Sequence, residues 1–207
     1  IVGAHANLPA ALQVPLLILT AVCTGAFWAG IAGVLKVTRG VSEVVATIML
    51  NAIATSVIAY LWLPNVFGVK VGNNNTTGEM HESGWIPGID MGAAGEIYGL
   101  VILAVLLGIG YWIVLNRTRF GFDLRASGAS ESAAAASGVD PKRMVLTAML
   151  ISGGLAGLAG LPILLGDTHT YSLNFPTGIG FLGIGIALLG RNSPVGIAFA
   201  ALLWAWL

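Results

Sequence analysis

Four unbroken apolar blocks, at residues 12–35, 42–63, 97–115 and 144–165, constrain this chain more than any other feature. An α-helix rises about 1.5 Å per residue, so each block can cross a hydrocarbon layer about 30 Å thick. None shows the ten-residue alternating pattern of barrel strands. Only 9% of the residues are charged, against about a quarter in soluble domains, too few to cover a water-facing surface. The chain is therefore expected to be an all-α polytopic membrane protein in contact with the lipid bilayer. It would have four full transmembrane helices, a glycine-rich half-helix or broken span at 178–189, and one helix beginning at 195 and cut at the end of the sequence. Residues 1–207 are taken as one transmembrane domain, and as a fragment of a longer protein, because the sequence starts at Ile1 and stops at Leu207 inside an apolar run.

Basic residues set the expected orientation. Lys36 and Arg39 follow the first block; Arg117, Arg119, Arg125, Lys142 and Arg143 lie in the loop after the third; Arg191 follows the half-helix. Facing these eight to the cytoplasm leaves only Lys70 outside, and the spans then alternate in direction. An outer loop at 64–96 and a cytoplasmic loop at 116–143 result. The outer loop is rich in Gly, Asn and Thr and holds Trp85 and a Pro87-Gly88 turn, so part of it is expected to fold over the membrane face.

No catalytic centre is evident, and the chain reads as a transport subunit rather than an enzyme. His5, His81 and His169 are scattered without partners at metal-ligand spacing, and are read as ordinary loop histidines with no metal site. Gly178-Ile179-Gly180-Phe181-Leu182-Gly183 matches a dinucleotide-binding pattern literally. It lies in an apolar segment with no βαβ context, so no cofactor is expected, and Gly180 and Gly183 are read as close-packing or pathway positions. A net charge of zero gives no reason to expect nucleic acid.

The second block carries Glu43, Thr47, Asn51 and Thr55 at four-residue intervals, along one helix face. Polar groups at membrane depth are costly and usually face protein or a water-filled cavity. These four are candidates for the wall of a substrate pathway, although Glu43 is near enough to the cytoplasmic end to reach water. In the fourth block, Gly153, Gly154, Ala156, Gly157 and Gly160 are spaced for tight helix packing.

In the cytoplasmic loop, Ser130 is placed to cap a short helix that Gly138 would stop, with Glu131, Ala133 and Ala134 inside it. A small alanine-faced knob suits docking into a partner's groove.

Around this knob the sequence becomes recognisable. Thr118-Arg119-Phe120-Gly121-Phe122-Asp123-Leu124-Arg125-Ala126-Ser127-Gly128, with Ala133-Ala134 and Gly138-Val139, resembles the cytoplasmic signature of ABC importer permeases for simple sugars and nucleosides. Val41-Ser42-Glu43-Val44-Val45-Ala46-Thr47-Ile48-Met49-Leu50-Asn51 and the segment from Gly180-Phe181-Leu182-Gly183 to Ala187-Leu188-Leu189-Gly190-Arg191-Asn192-Ser193-Pro194 strengthen the likeness, which is closest to the nucleoside branch. The resemblance implies a bacterial inner-membrane importer with cytoplasmic ABC ATPases, a second permease subunit and an external substrate-binding lipoprotein. Glu131, Ala133 and Ala134 would then couple to the ATPase, with Gly121, Leu124, Arg125, Gly128 and Gly138 shaping the approach. A branched-chain amino-acid ABC permease and an ion-coupled secondary transporter are the alternatives, and a membrane scaffold would explain the docking knob but not the polar face.

Overall fold

The computed structural model describes residues 9–71, 74–90, 96–172 and 178–206; His5 lies outside them. The protein is a polytopic all-α membrane protein. Four helical segments are long and apolar enough to cross a membrane: Ala10–Arg39, Glu43–Leu61, Leu100–Arg117 and Pro141–Thr168. The chain forms two compact units, one of residues 1–98 and 141–175, the other of 99–140 and 176–207.

The first unit is built on α1 (Ala10–Arg39) and α6 (Pro141–Gly157), which pack along their lengths. Small residues make this possible. A Cβ on Gly25 would stand 2.3 Å from the Gly153 carbonyl oxygen, and one on Gly153 would stand 2.3 Å from Ala29 Cβ. Lipid tails are as apolar as leucine, so two helices in a bilayer gain by fitting closely rather than by escaping water. The expected packing role is met at Gly153, Gly154 and Gly157, whereas Ala156 is exposed.

α1 ends at Gly40, whose φ of 65° lets its N–H turn back to the Lys36 carbonyl. α2 (Glu43–Leu61) starts three residues later, and the Lys36 ammonium holds the Glu43 carboxylate at 2.8 Å across the turn. The fourth span is not one continuous helix, as the apolar run alone suggests. α6 stops at Gly157, turns through residues 158–160, resumes as Leu161–Ile163 and closes in a π-turn over Leu164–Thr168. Pro162 supplies no N–H and its ring crowds the preceding turn, which accounts for the break.

Two short antiparallel hairpins stand in the long connection after α2. β1 (Val69–Val71) pairs with β2 (Asn74–Thr76), and β3 (Gly88–Asp90) with β4 (Glu96–Tyr98). This loop is thus partly folded, and its last strand occupies the first residues of the apolar run that begins at 97.

The second unit starts with α3 (Leu100–Arg117), which meets α4 (Arg119–Ala129) through Thr118 alone. α5 (Glu131–Ala136) follows after Ser130. α7 (Ile179–Leu189) and α8 (Pro194–Trp206) form a helical hairpin. α7 has 11 residues, about 16 Å of helix, and is the short segment expected at 178–189. Leu, Ile, Val and Phe side chains of α2, α3, α7 and α8 are largely exposed, as suits helices that lipid or further protein covers.

Candidate substrate path and docking loop

In α2 the packed edge runs through Ala46, Leu50, Ala54, Ile58 and Leu61, each buried or half-buried. Thr47, Asn51 and Thr55 each follow a packed residue by one position and are exposed. The polar stripe therefore borders the packed edge instead of lying opposite it. Thr47 Oγ1 donates to the carbonyls of Glu43 (2.8 Å) and Val44 (3.1 Å), and Thr55 Oγ1 donates to Asn51 (3.0 Å). Both hydroxyl protons are used within the helix, leaving acceptor lone pairs on either side of an amide that can donate and accept. Such a strip can exchange hydrogen bonds with a hydroxyl- and N–H-bearing solute. Glu43 stands apart from it, held by Lys36 in the turn.

Gly180 and Gly183 lie on α7, which begins at Gly178 with φ 86° and has no buried residue. A Cβ at either position would meet nothing within 4 Å. Close packing in the described structure does not explain them, and they leave bare backbone on an open helix. The tight approach occurs in the next turn, where a Cβ on Gly196 would stand 2.2 Å from the Gly190 carbonyl oxygen.

The candidate docking loop folds as its end signals require. Thr118 Oγ1 accepts the Gly121 N–H (3.2 Å) and caps α4, while Ser130 Oγ accepts the Ala133 N–H (3.3 Å) and caps α5. Gly138, at φ 84°, ends α5, and the Val139 N–H reaches back to the Ala134 carbonyl. Glu131 and Ala133 are exposed on the resulting knob, whereas Ala134 turns inward and is only 2% exposed. Gly121 sits against the end of α3: a Cβ there would stand 2.3 Å from the Val114 carbonyl oxygen. Its place is the elbow itself. Leu124 is half-buried, Gly128 is exposed, and Arg125 donates from Nη1 to Asn116 Oδ1 at 3.4 Å.

Sequence reasoning missed a clasp in the first unit. Gln13 of α1 is fully buried and accepts a hydrogen bond from Ser83, 70 positions away, in the 3-10 turn Glu82–Gly84. The Ile86 N–H donates to the Leu165 carbonyl (2.9 Å), and the Met80 N–H to that of His169 (3.0 Å). The indole of Trp85 stacks on His169 with centroids 4.0 Å apart. Thr77 exchanges two bonds with Tyr171, whose ring also meets Trp62. Burial holds the Tyr171 hydroxyl pKa above its ordinary value of 10.0. His169, read as an ordinary loop histidine, is therefore a structural centre. It adopts φ 51°, and its buried Nδ1 has no partner among the described residues. The available signal was Gln13 itself, a lone amide beside apolar neighbours.

The four candidate spans define an integral membrane protein. The chain belongs to the family described as branched-chain amino acid transport system / permease component, whose model matches residues 1–207. It is 35% identical over 206 residues to the guanosine ABC transporter permease protein NupP of Bacillus subtilis, covering 98% of this chain and 58% of that protein. It is 33% identical over 208 residues to the nucleoside ABC transporter permease protein NupB of Lactococcus lactis, covering 96% and 56%. Against the glucose ABC transporter permease protein TsgB13 of Haloferax volcanii, identity is 29% over 212 residues, covering 99% and 56%. The chain thus spans little more than half the length of these relatives. No solved structure matches it.

Proposed function

We propose that this chain is the membrane-spanning core of an ATP-binding-cassette importer that carries nucleosides across the bacterial inner membrane. The 35% identity to the guanosine permease carries this reading, because it extends through the α2 strip and the docking loop alike. The chemistry of the strip agrees. Asn51, flanked by Thr47 and Thr55, offers the mixed donors and acceptors that a ribose and a base edge require.

The whole of 1–207 acts as one permease domain, with 64–96 on the outer side and 116–143 as the cytoplasmic coupling loop. A second permease subunit completes the pathway, and an external lipoprotein delivers the solute. ATP hydrolysis belongs to partner subunits seated on α5, where Glu131 and Ala133 meet the ATPase groove. Gly128, Leu124 and Arg125 support that knob from α4, Gly138 frees the chain after it, and Ala134 anchors it from within. Closure of the ATPases pulls on α5 and biases the spans between outward-open and inward-open states. Solute passes the α2 strip and the bare backbone at Gly180 and Gly183, and Glu43 steadies the cytoplasmic turn that precedes α2.

Simple sugars are the second reading, favoured by the glucose permease relative. The branched-chain amino-acid alternative has the wording of the family description in its support, but relatives matched over nearly all of this chain include nucleoside and sugar permeases. The test is uptake of labelled nucleoside by cells carrying the intact operon, with ATP depleted in a parallel sample. Uptake that requires both this gene and ATP supports the proposal. Absence of nucleoside uptake by an assembled complex would refute the substrate and bring sugars forward.

A further inference from the structure

α4 presents one face that nothing among the described residues covers. Arg119, Phe122, Arg125 and Ala129 are all exposed, whereas Gly121 and Ser127, on the other side, are buried. At 100° per residue the four exposed positions fall within about a third of a turn. Phe122 is 65% exposed and lies between Arg119 and Arg125 along that face.

Three observations indicate what meets this face. The first is continuity: a single residue, Thr118, separates the last residue of the apolar helix α3 from the first of α4, so α4 starts where the chain leaves the hydrocarbon. The second is charge. Arg117, Arg119 and Arg125 lie within one elbow, and none is in a salt bridge among the described residues. Arg117 instead sits over the Trp112 ring, 5.7 Å from its centroid, an arrangement suited to the headgroup layer. The third is Phe122 itself. A large apolar group flanked by cations matches a bilayer interface, acyl chains below and phosphates beside, better than it matches water.

We infer that α4 is an interfacial helix that binds the headgroup of an anionic phospholipid through Arg119 and Arg125, with Phe122 inserted among the acyl chains. The orientation proposed above decides only which leaflet is meant. The elbow geometry favours such a resting place. Gly121 brings α4 against the backbone of α3, and Thr118 Oγ1 donates to the Val114 carbonyl (2.6 Å), fixing the angle at which α4 leaves the span. Held there, α4 would carry α5 at a set height above the membrane.

The test uses the full-length transporter in nanodiscs of equal parts phosphatidylcholine and phosphatidylglycerol, with Phe122 replaced by the photo-crosslinker benzoylphenylalanine. Illumination should give lipid adducts with phosphatidylglycerol in excess, and Arg119→Gln should reduce that excess about fivefold, the equivalent of the ~1 kcal/mol a basic residue contributes near an anionic surface. Equal labelling of the two lipids, unchanged by Arg119→Gln, would overturn headgroup recognition. Adducts to the ATPase instead of lipid would overturn the interfacial placement and assign this face to the docking surface. Neither readout needs substrate, so a transporter of sugars would give the same answer as one of nucleosides.

Discussion

Gly25→Ala adds one methyl group where α1 and α6 touch, and the structure fixes what that methyl meets. Its carbon would stand 2.3 Å from the Gly153 carbonyl oxygen and 3.1 Å from Gly157 Cα, where ordinary contact begins at 3.4 Å. The nearest obstacle is backbone, so no side-chain rotation relieves it. The helices must separate by about 1 Å, a gap that forfeits a quarter to a half of the dispersion well for each atom pair along the seam. Overpacking of this kind costs about 1–3 kcal/mol, offset by about 0.5–1 kcal/mol because alanine favours the helix over glycine. The net loss expected is about 1–2 kcal/mol, a fold-change in the unfolding constant of about tenfold.

Gly110→Ala in α3 supplies the matched control, since a Cβ there meets nothing within 4 Å. It should leave the full-length permease unchanged or stabilise it by up to about 1 kcal/mol. Reversible unfolding in mixed micelles, or steric trapping in bicelles, measures both variants on one scale. Destabilisation by Gly25→Ala and none by Gly110→Ala is the expected result. Equal shifts in the same direction would refute backbone contact between α1 and α6 as a principal source of stability.

Other perturbations address function. Asn51→Leu should reduce ATP-dependent uptake while the complex still assembles; normal uptake would remove Asn51 from the path. Replacing Glu131, Ser132 and Ala133 with bulky charged residues should abolish ATPase association without altering membrane insertion, as measured by co-purification. Gln13→Leu removes the amide that Ser83 bonds, at a cost of about 1 kcal/mol, and should speed proteolytic nicking of the loop between α2 and α3. Tyr171 gives a pH signature. Its neutral form is favoured in the folded protein, so that contribution is complete below pH 10.0, the ordinary value, and is lost as pH rises through the elevated one. Protection of the same loop should fall in that alkaline range, and Tyr171→Phe should flatten the dependence.

What the sequence discloses and what it hides divide along physical lines. Each span was legible because about 20 apolar residues suffice to define one, whatever surrounds them. The α5 knob was equally local: Ser130 and Gly138 act on backbone groups within four positions. The break in the fourth span was missed although Pro162 marked it, because the apolar count runs through a proline undisturbed. Ala134 was placed outside with its neighbours, since a helix of six residues gives no periodicity from which an inward face can be read. The clasp was beyond reach for a different reason. Gln13 and Ser83 are 70 positions apart, and Trp85 and His169 are farther still, so only the folded chain brings them together.

That clasp bears on how a permease of this kind could move. Alternating access needs elements that shift against a body that does not. α1 and α6 are joined at backbone contact through Gly25 and Gly153, and the loop after α2 is bonded both to α1 at Gln13 and to the segment after α6 at Leu165, His169 and Tyr171. Sliding α1 along α6 would break the seam and the clasp together, so the pair is suited to serve as the fixed body. Freedom remains where internal contacts are sparse. α7 has no buried residue, and α2 is buried only at Ala46. These are also the helices that carry the open glycines Gly180 and Gly183 and the polar strip at Asn51. The residues proposed to meet solute thus sit on elements with few buried residues, as suits a path that must open and close.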